Sequence, residues 1–197
     1  MAVLDRSFFI RPVQLVARDL LGCRLIRLIG GQRVGGLIIE TEAYDGEEDQ
    51  ACHARSGQTA RNAVMYAEGG RAYVYFTYGM HWMLNCVAGP AGYPAAALIR
   101  AIYPTDGFPF IASRRPGIVQ KDWCSGPARL TKALAIDGSC NGADLCSQAG
   151  ALSIEEGVPM PDNAVTTAPR VGIQYAPEPW RSQPWRFQVA TASLRLD

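Results

Sequence analysis

The stretch CRLIRLIGGQRVGGLIIETEAY, residues 23–44, reads as two strands folded back on each other. Residues 23–29 are a Leu/Ile-rich run, Gly30-Gly31 is a tight-turn pair, and residues 34–44 return as a second apolar run. A two-residue turn can join only antiparallel strands. The sheet is therefore predicted to be largely antiparallel.

The returning strand ends in ETEAYDGEED, residues 40–49. Strand side chains alternate between faces. Ile38, Glu40, Glu42 and Tyr44 are thus predicted on one face, and Ile39, Thr41 and Ala43 on the other. The two carboxylates would stand about 6–7 Å apart. In a dry site like charges that close resist joint ionisation, which is one way to make a general base or acid. The same pair fits a strand end surfacing into water with Glu40 bound to an arginine. It also fits the spaced carboxylates of an inverting glycosidase, a carbohydrate hydrolase using Glu40 and Glu42. Alternation does not choose among these. The acids at 45–49 read as a solvated loop.

Working outward, residues 12–21 read as a short helix with Pro12 in its first turn, an apolar face at Leu15, Val16, Ala17 and Leu20, and Gly22 as its stop. Residues 45–71 read as a long polar loop. Residues 71–78 and 81–87 read as strands about a turn at Tyr78-Gly79, and residues 95–103 as another strand. Residues 106–115 suit a helix, as do residues 124–136, with Ser125 as N-cap and Pro127 in the first turn. The remainder reads as short strands and Pro-rich loops. The predicted fold class is α+β: one domain over residues 1–197, a curved antiparallel sheet with peripheral helices and a protruding hairpin.

The hairpin segment YVYFTYGMHWMLN, residues 73–85, carries five aromatics. Tyr73, Phe76 and Trp82 are predicted core. Tyr78 is predicted at the tip, where a large side chain finds little burial and can act as a wedge or a stacking surface. Asn85 breaks an apolar strand, so its amide must bond to backbone or to a ligand edge.

Composition narrows the classes. The chain has 197 residues, 48% of them hydrophobic and 19% charged, which suits a folded globular domain. Residues 72–99 contain no Asp, Glu, Lys or Arg, yet Gly79, His81, Asn85, Gly89-Pro90, Gly92 and Pro94 interrupt them, so no membrane span is expected. No secretory signal is expected either, because Asp5 and Arg6 come early. Six scattered cysteines without a CxxC pair suggest free thiols in a reducing cytoplasm and no zinc site. Net charge is +1, but residues 40–50 hold six acids and no base, whereas residues 51–135 hold nine bases and three acids. Nearly all the bases are arginine, the side chain suited to bidentate phosphate contacts.

Four segments in this order and spacing, ETEAYDGEEDQACHARSGQTARN, AYVYFTYGMHWMLN, ALIRAIYPTDG and CSGPARLTKALAI, resemble the alkyladenine (3-methyladenine) DNA glycosylases of the human and bacterial type. The resemblance extends over about residues 4–189. It implies a compact mixed α/β domain whose hairpin enters the DNA minor groove, and a base-excision-repair enzyme that needs no metal or cofactor. The implied partner is double-stranded DNA carrying a damaged purine.

Carried over by motif, Glu42 matches the base that activates the attacking water. Tyr44 and Tyr75 match the aromatics on either side of the flipped base. His53 matches a pocket histidine, and Tyr78 the hairpin-tip residue that fills the gap in the duplex. Asn85 matches a residue disfavouring the 2-amino group of guanine. Arg100 matches an arginine near the water and the backbone phosphate, and Leu98 lines the same wall. With lysine present only at 121 and 132, outside the matched pocket, a Schiff-base lyase step is not expected. A monomer is expected, since one flipped base needs one site. The chain departs from the family pattern at Ala60, where a proline is usual, at Gln58 and at Met83, which bears on loop rigidity and substrate range. A non-catalytic nucleic-acid-binding module of the same fold is the rival within this resemblance.

Overall fold

In the computed structural model, which describes residues 1–194, the 23–44 segment forms the hairpin its sequence predicts. Two short helices precede it, α1 (Arg6–Phe9) and α2 (Val13–Asp19). The hairpin strands are β1 (Arg24–Ile29) and β2 (Gln32–Asp45). There follow β3 (Ala72–Thr77), β4 (His81–Ala88), β5 (Ala95–Asp106), α3 (Phe108–Arg114), α4 (Pro127–Ala133), β6 (Leu152–Glu155), β7 (Val165–Ala168) and β8 (Arg186–Val189). The strands make one curled sheet in the order β3-β4-β5-β2-β1-β6, with β8 joining β2 to β7. Its ladders are antiparallel. No helix among the described residues is long and apolar enough to cross a membrane.

The central strand β2 sets the curl. It pairs with β5 along one edge, while its other edge is shared by β1 and then by β8, which takes Glu40–Glu42. Register shifts at Gly35/Gly36, Ile38/Glu40 and Glu40/Thr41 bend the strand. The glycine pair permits a close approach: a Cβ on Gly36 would lie 2.0 Å from the Tyr103 carbonyl oxygen. Gly36→Ala is therefore expected to destabilise the fold by about 2–4 kcal/mol, read as a lowered urea midpoint. An unchanged midpoint would show that β5 can move aside.

The shift at Ile38/Glu40 also corrects the alternation predicted from sequence. Ile38 leaves the carboxylate face and joins the main core together with Ala43. That core lies between the sheet and the helices. On α2 the buried face is Val13, Val16 and Ala17, continued by Leu20, whereas Leu15, predicted on it, is 52% exposed. The spacing i, i+3, i+4, i+7 from Val13 explains the difference. Thr41 Oγ1 donates to the Ala17 carbonyl at 2.6 Å and ties α2 to β2. The opposite face carries a second, smaller core of Tyr73, Val87, Ala96, Cys52, Ala54 and Met65, roofed by the 46–71 loop.

Two further expectations change. Ser125 does not cap α4. Gly126 occupies the cap position with φ +141°, a conformation that glycine adopts readily, and the Ser125 hydroxyl instead accepts from Arg129 at 2.9 Å. Phe76 is not core. It is 44% exposed near the hairpin tip and packs on Trp82 with ring centroids 4.8 Å apart. At the tip itself Tyr78 and Gly79 both have positive φ, 52° and 66°, as a tight hairpin turn requires. Tyr78 and Met80 project into solvent, 81% and 67% exposed.

Candidate active site

Directly opposed residues of a ladder share a face. One such row crosses five strands: Tyr73 of β3, Asn85 of β4, Leu98 of β5, Glu42 of β2 and Arg186 of β8. Two residues further along each strand, the same face carries Tyr75 opposite Met83, and Tyr44 opposite Ala96. Under the 46–71 loop this face encloses a cavity of about 320 Å³. Tyr44, His53, Tyr75, Tyr78, Asn85, Leu98 and Arg100, seven of the eight residues singled out from sequence, line it.

Glu42, the eighth, sits one layer behind the wall. Its side chain is fully buried, and its neighbours Tyr44, Leu98, Arg100 and Val171 form the cavity surface around it. Its Oε1 accepts from the Val171 N–H at 2.7 Å, and its Oε2 from the Tyr44 hydroxyl at 2.9 Å. Arg100 Nη1 stands 3.2 Å from the same Oε2. An ionised carboxylate offers about four acceptor positions. Two of these are filled by the Val171 N–H and the Tyr44 hydroxyl, with the Arg100 cation beside Oε2.

Burial raises the Glu42 carboxyl above its ordinary value, and the Glu40 charge adds to this. Arg100, the Val171 N–H and the Tyr44 hydroxyl oppose the rise. Burial beside that carboxylate also pushes the Tyr44 phenol well up, so Tyr44 remains a protonated donor. Glu40 has a different task. Arg100 Nε binds its Oε1 at 2.8 Å and Arg186 Nη1 approaches within 3.5 Å. The second carboxylate of the motif thus holds Arg100 in place between the two strands.

His53 reaches the cavity from the loop. Its Nδ1 lies 3.0 Å from the Tyr73 hydroxyl, and its ring meets the edge of Tyr75 with centroids 4.5 Å apart. Crowding against these rings, with Arg61 and Arg55 nearby, lowers its pKa and favours the neutral ring. The loop is pinned despite Ala60. Buried Asn62 donates to the carbonyls of His53 and Gly57, each at 3.0 Å, and accepts from the Thr59 N–H. Asn85, 4% exposed, is anchored by a 3.1 Å bond from its Nδ2 to the Tyr73 carbonyl.

The acidic loop corrects the sequence reading at one residue. Glu47 and Glu48 are exposed, as a solvated loop requires, but Asp49 is fully buried. It makes a two-point pair with Arg170 at 2.5 and 2.9 Å. The segment that follows Arg170 was not legible from sequence: Val171, Gly172, Ile173 and Tyr175 form a wall of the cavity. Their RVGIQY alternates apolar Val171, Ile173 and Tyr175 with Gly172 and Gln174, a strand-like pattern, yet the structure forms turns here and not a strand. That alternation was the local cue, but it says nothing of which distant strand the segment lies against. Among the described residues no group of three or more His, Cys, Asp or Glu is arranged to hold a metal ion.

The family profile described as methylpurine-DNA glycosylase matches residues 7–193. A protein of Methanocella arvoryzae named "Putative 3-methyladenine DNA glycosylase" is 47% identical over 188 residues, covering 95% of this chain and 92% of its own. Proteins of the same name from Carboxydothermus hydrogenoformans and Myxococcus xanthus are 44% and 45% identical, covering 95% and 94% of this chain and 95% and 89% of their own. The chain belongs to the methylpurine-DNA glycosylase family.

Proposed function

We propose that this protein is a monofunctional DNA N-glycosylase that removes alkylated or deaminated purines from duplex DNA. The candidate substrates are 3-methyladenine, 7-methylguanine, hypoxanthine and ethenoadenine. The observation that carries the proposal is the convergence of two tyrosines, a neutral histidine, an anchored amide and an arginine on one cavity, with a buried carboxylate directly behind its wall.

A base within a duplex cannot be attacked at C1′ until it is rotated out of the stack, at a cost of a few kcal/mol. Tyr78 at the exposed hairpin tip is suited to fill the space left behind, offsetting part of that cost. Tyr44 and Tyr75 then offer π faces to the flipped base. Purines methylated at N3 or N7 carry positive charge and gain from those faces by cation–π attraction. Neutral hypoxanthine is a poorer leaving group and depends more on pocket hydrogen bonds, for which His53 is placed. Asn85 cannot swing aside, because its amide is tied to the Tyr73 backbone. A guanine 2-amino group would meet that fixed wall.

Glu42 takes the proton of the attacking water, while Arg100 favours its ionised form and is placed to meet a backbone phosphate. Both lysines are exposed and neither lines the cavity, which supports release by water alone with an intact abasic site as product. The carbohydrate-hydrolase alternative loses support here. The Glu40 carboxylate is occupied by Arg100 and Arg186 and does not line the cavity. The six cysteines are free thiols, which suits a reducing compartment. The working unit is taken as a monomer.

The test is a duplex with one hypoxanthine or ethenoadenine, incubated with the protein and a chelator and then heated in alkali. Scission at the lesion is expected only after the alkali step. No scission with any alkylated or deaminated purine would remove the glycosylase assignment and leave the binding-module alternative. Scission without alkali would remove the monofunctional one.

A further inference from the structure

The Asp49–Arg170 pair is the most deeply buried ion pair among the described residues, with both side chains fully inaccessible to solvent. Each partner is engaged beyond the pair. Asp49 accepts from the N–H groups of Asp45 and Ala51, at 3.1 and 3.0 Å. Arg170 donates to the carbonyls of Ala43 and Trp180, at 2.9 and 3.2 Å. Its guanidinium lies between two rings, 4.7 Å from the Tyr44 centroid and 5.0 Å from that of Trp185.

Stability is a poor explanation for this arrangement. Removing two charges from water is costly, and apolar replacements of similar volume often stabilise a fold as well or better. The cost is increased here because Arg170 Nε has no hydrogen-bond partner in the structure. What such a pair supplies is geometry. A guanidinium held at both ends of its fork, and stacked on two faces, has one position.

Geometry is also what this location needs. The next residue after Arg170 is Val171, whose N–H bonds to Glu42 Oε1. The residues before Asp49 include Tyr44, whose hydroxyl bonds to Glu42 Oε2. The loop carrying Val171 and the strand end carrying Tyr44 come from opposite ends of the chain, and the ion pair joins them. We propose that Asp49 and Arg170 are positioning residues for the candidate base, clamping the 170–172 backbone to the end of β2 so that the Val171 N–H stays on Glu42.

This inference rests on the glycosylase reading above. The charged and titratable groups facing Glu42 are Glu40 and Tyr44 from β2, Arg100 from β5, Tyr75 from β3, and Arg186 from β8 acting through Glu40. All of them remain when the pair is removed. A slackened Val171 contact removes one donor from the ionised carboxylate. Glu42 then binds its proton more readily, and the acidic limb of the pH–rate profile moves to higher pH.

The test compares single-turnover excision of hypoxanthine from duplex DNA, as a function of pH, for the wild type and for the double variant Asp49→Leu/Arg170→Met. The double variant replaces both charges together, so no unpaired buried charge remains to unfold the protein. Expected are a cooperative thermal transition near that of the wild type, unchanged duplex affinity, an acidic limb about one pH unit higher, and a rate at pH 7 about tenfold lower. A folded double variant with the wild-type limb overturns the proposal, whether or not its rate has fallen. If the double variant does not fold, Asp49→Asn, which keeps the side chain's shape, is measured instead at a temperature where it is folded. An unmoved limb there overturns the proposal in the same way. Absence of activity in the wild type would be a failure of the glycosylase reading and not of the clamp.

Discussion

Glu42→Gln is expected to bind lesion DNA normally and to lose about 10³-fold of its single-turnover excision rate. The substitution keeps the side chain's length and its acceptor for the Val171 N–H, removes the capacity to take a proton, and replaces the oxygen that faces Tyr44 and Arg100 with an amide nitrogen. The charge part of the accompanying stability change has a defined sign. Burial raises the folded-state pKa of Glu42 above its ordinary value, so keeping it ionised opposes folding above that pKa. The penalty shrinks as the pH falls below the folded pKa and is gone below the unfolded one, where both states are protonated. Glutamine carries no charge at any pH and escapes the penalty. The lost contacts to Tyr44 and Arg100 act in the other direction, so the variant's melting temperature at pH 7 should stay near that of the wild type. Rate loss together with a lowered melting temperature would mean that Glu42 serves packing. An active Glu42→Gln with an inactive Glu40→Gln would exchange the two glutamates.

Arg100→Met is expected to move the acidic limb of the excision profile furthest, by about one to three pH units. Arg100 is the cation between the two carboxylates, 2.8 Å from Glu40 and 3.2 Å from Glu42. Without it Glu42 loses the strongest influence opposing its burial and feels Glu40 unscreened. A group that holds its proton to higher pH is a poorer base at neutrality, so the rate at pH 7 should fall roughly 10- to 100-fold and recover in part toward pH 9. Arg100→Lys keeps the charge but cannot span both carboxylates, and should lie between the two. A loss of rate that is flat across pH would assign Arg100 to the transition state alone.

Much of this was legible locally. The Gly30-Gly31 turn and the apolar runs around it specify β1 and β2, and Tyr78-Gly79 specifies the hairpin tip, because a tight turn demands particular dihedrals of adjacent residues. Alternation placed Glu42 beside Tyr44, and their hydrogen bond confirms a shared face. Alternation failed at Ile38, where the register shift in β2 depends on how β5 approaches, which no local pattern encodes. Leu15 and Phe76 were misplaced because apolarity signals burial only when a partner surface is present. Asp49 was misplaced for the converse reason: a carboxylate among exposed glutamates looks solvated until an arginine 121 positions later is packed against it.

By itself, then, the sequence determined the antiparallel hairpins, the α+β class and the residue types that reach the cavity. These follow from turn dihedrals, from alternation and from motifs contained within single segments. Tertiary structure alone decided that Glu40 serves Arg100 while Glu42 lies behind the wall, and that a backbone N–H from 129 residues away completes the Glu42 hydrogen bonds. The physical reason is that a carboxylate's role is set by its burial and its partners. Both depend on which distant strands and loops come to lie against it.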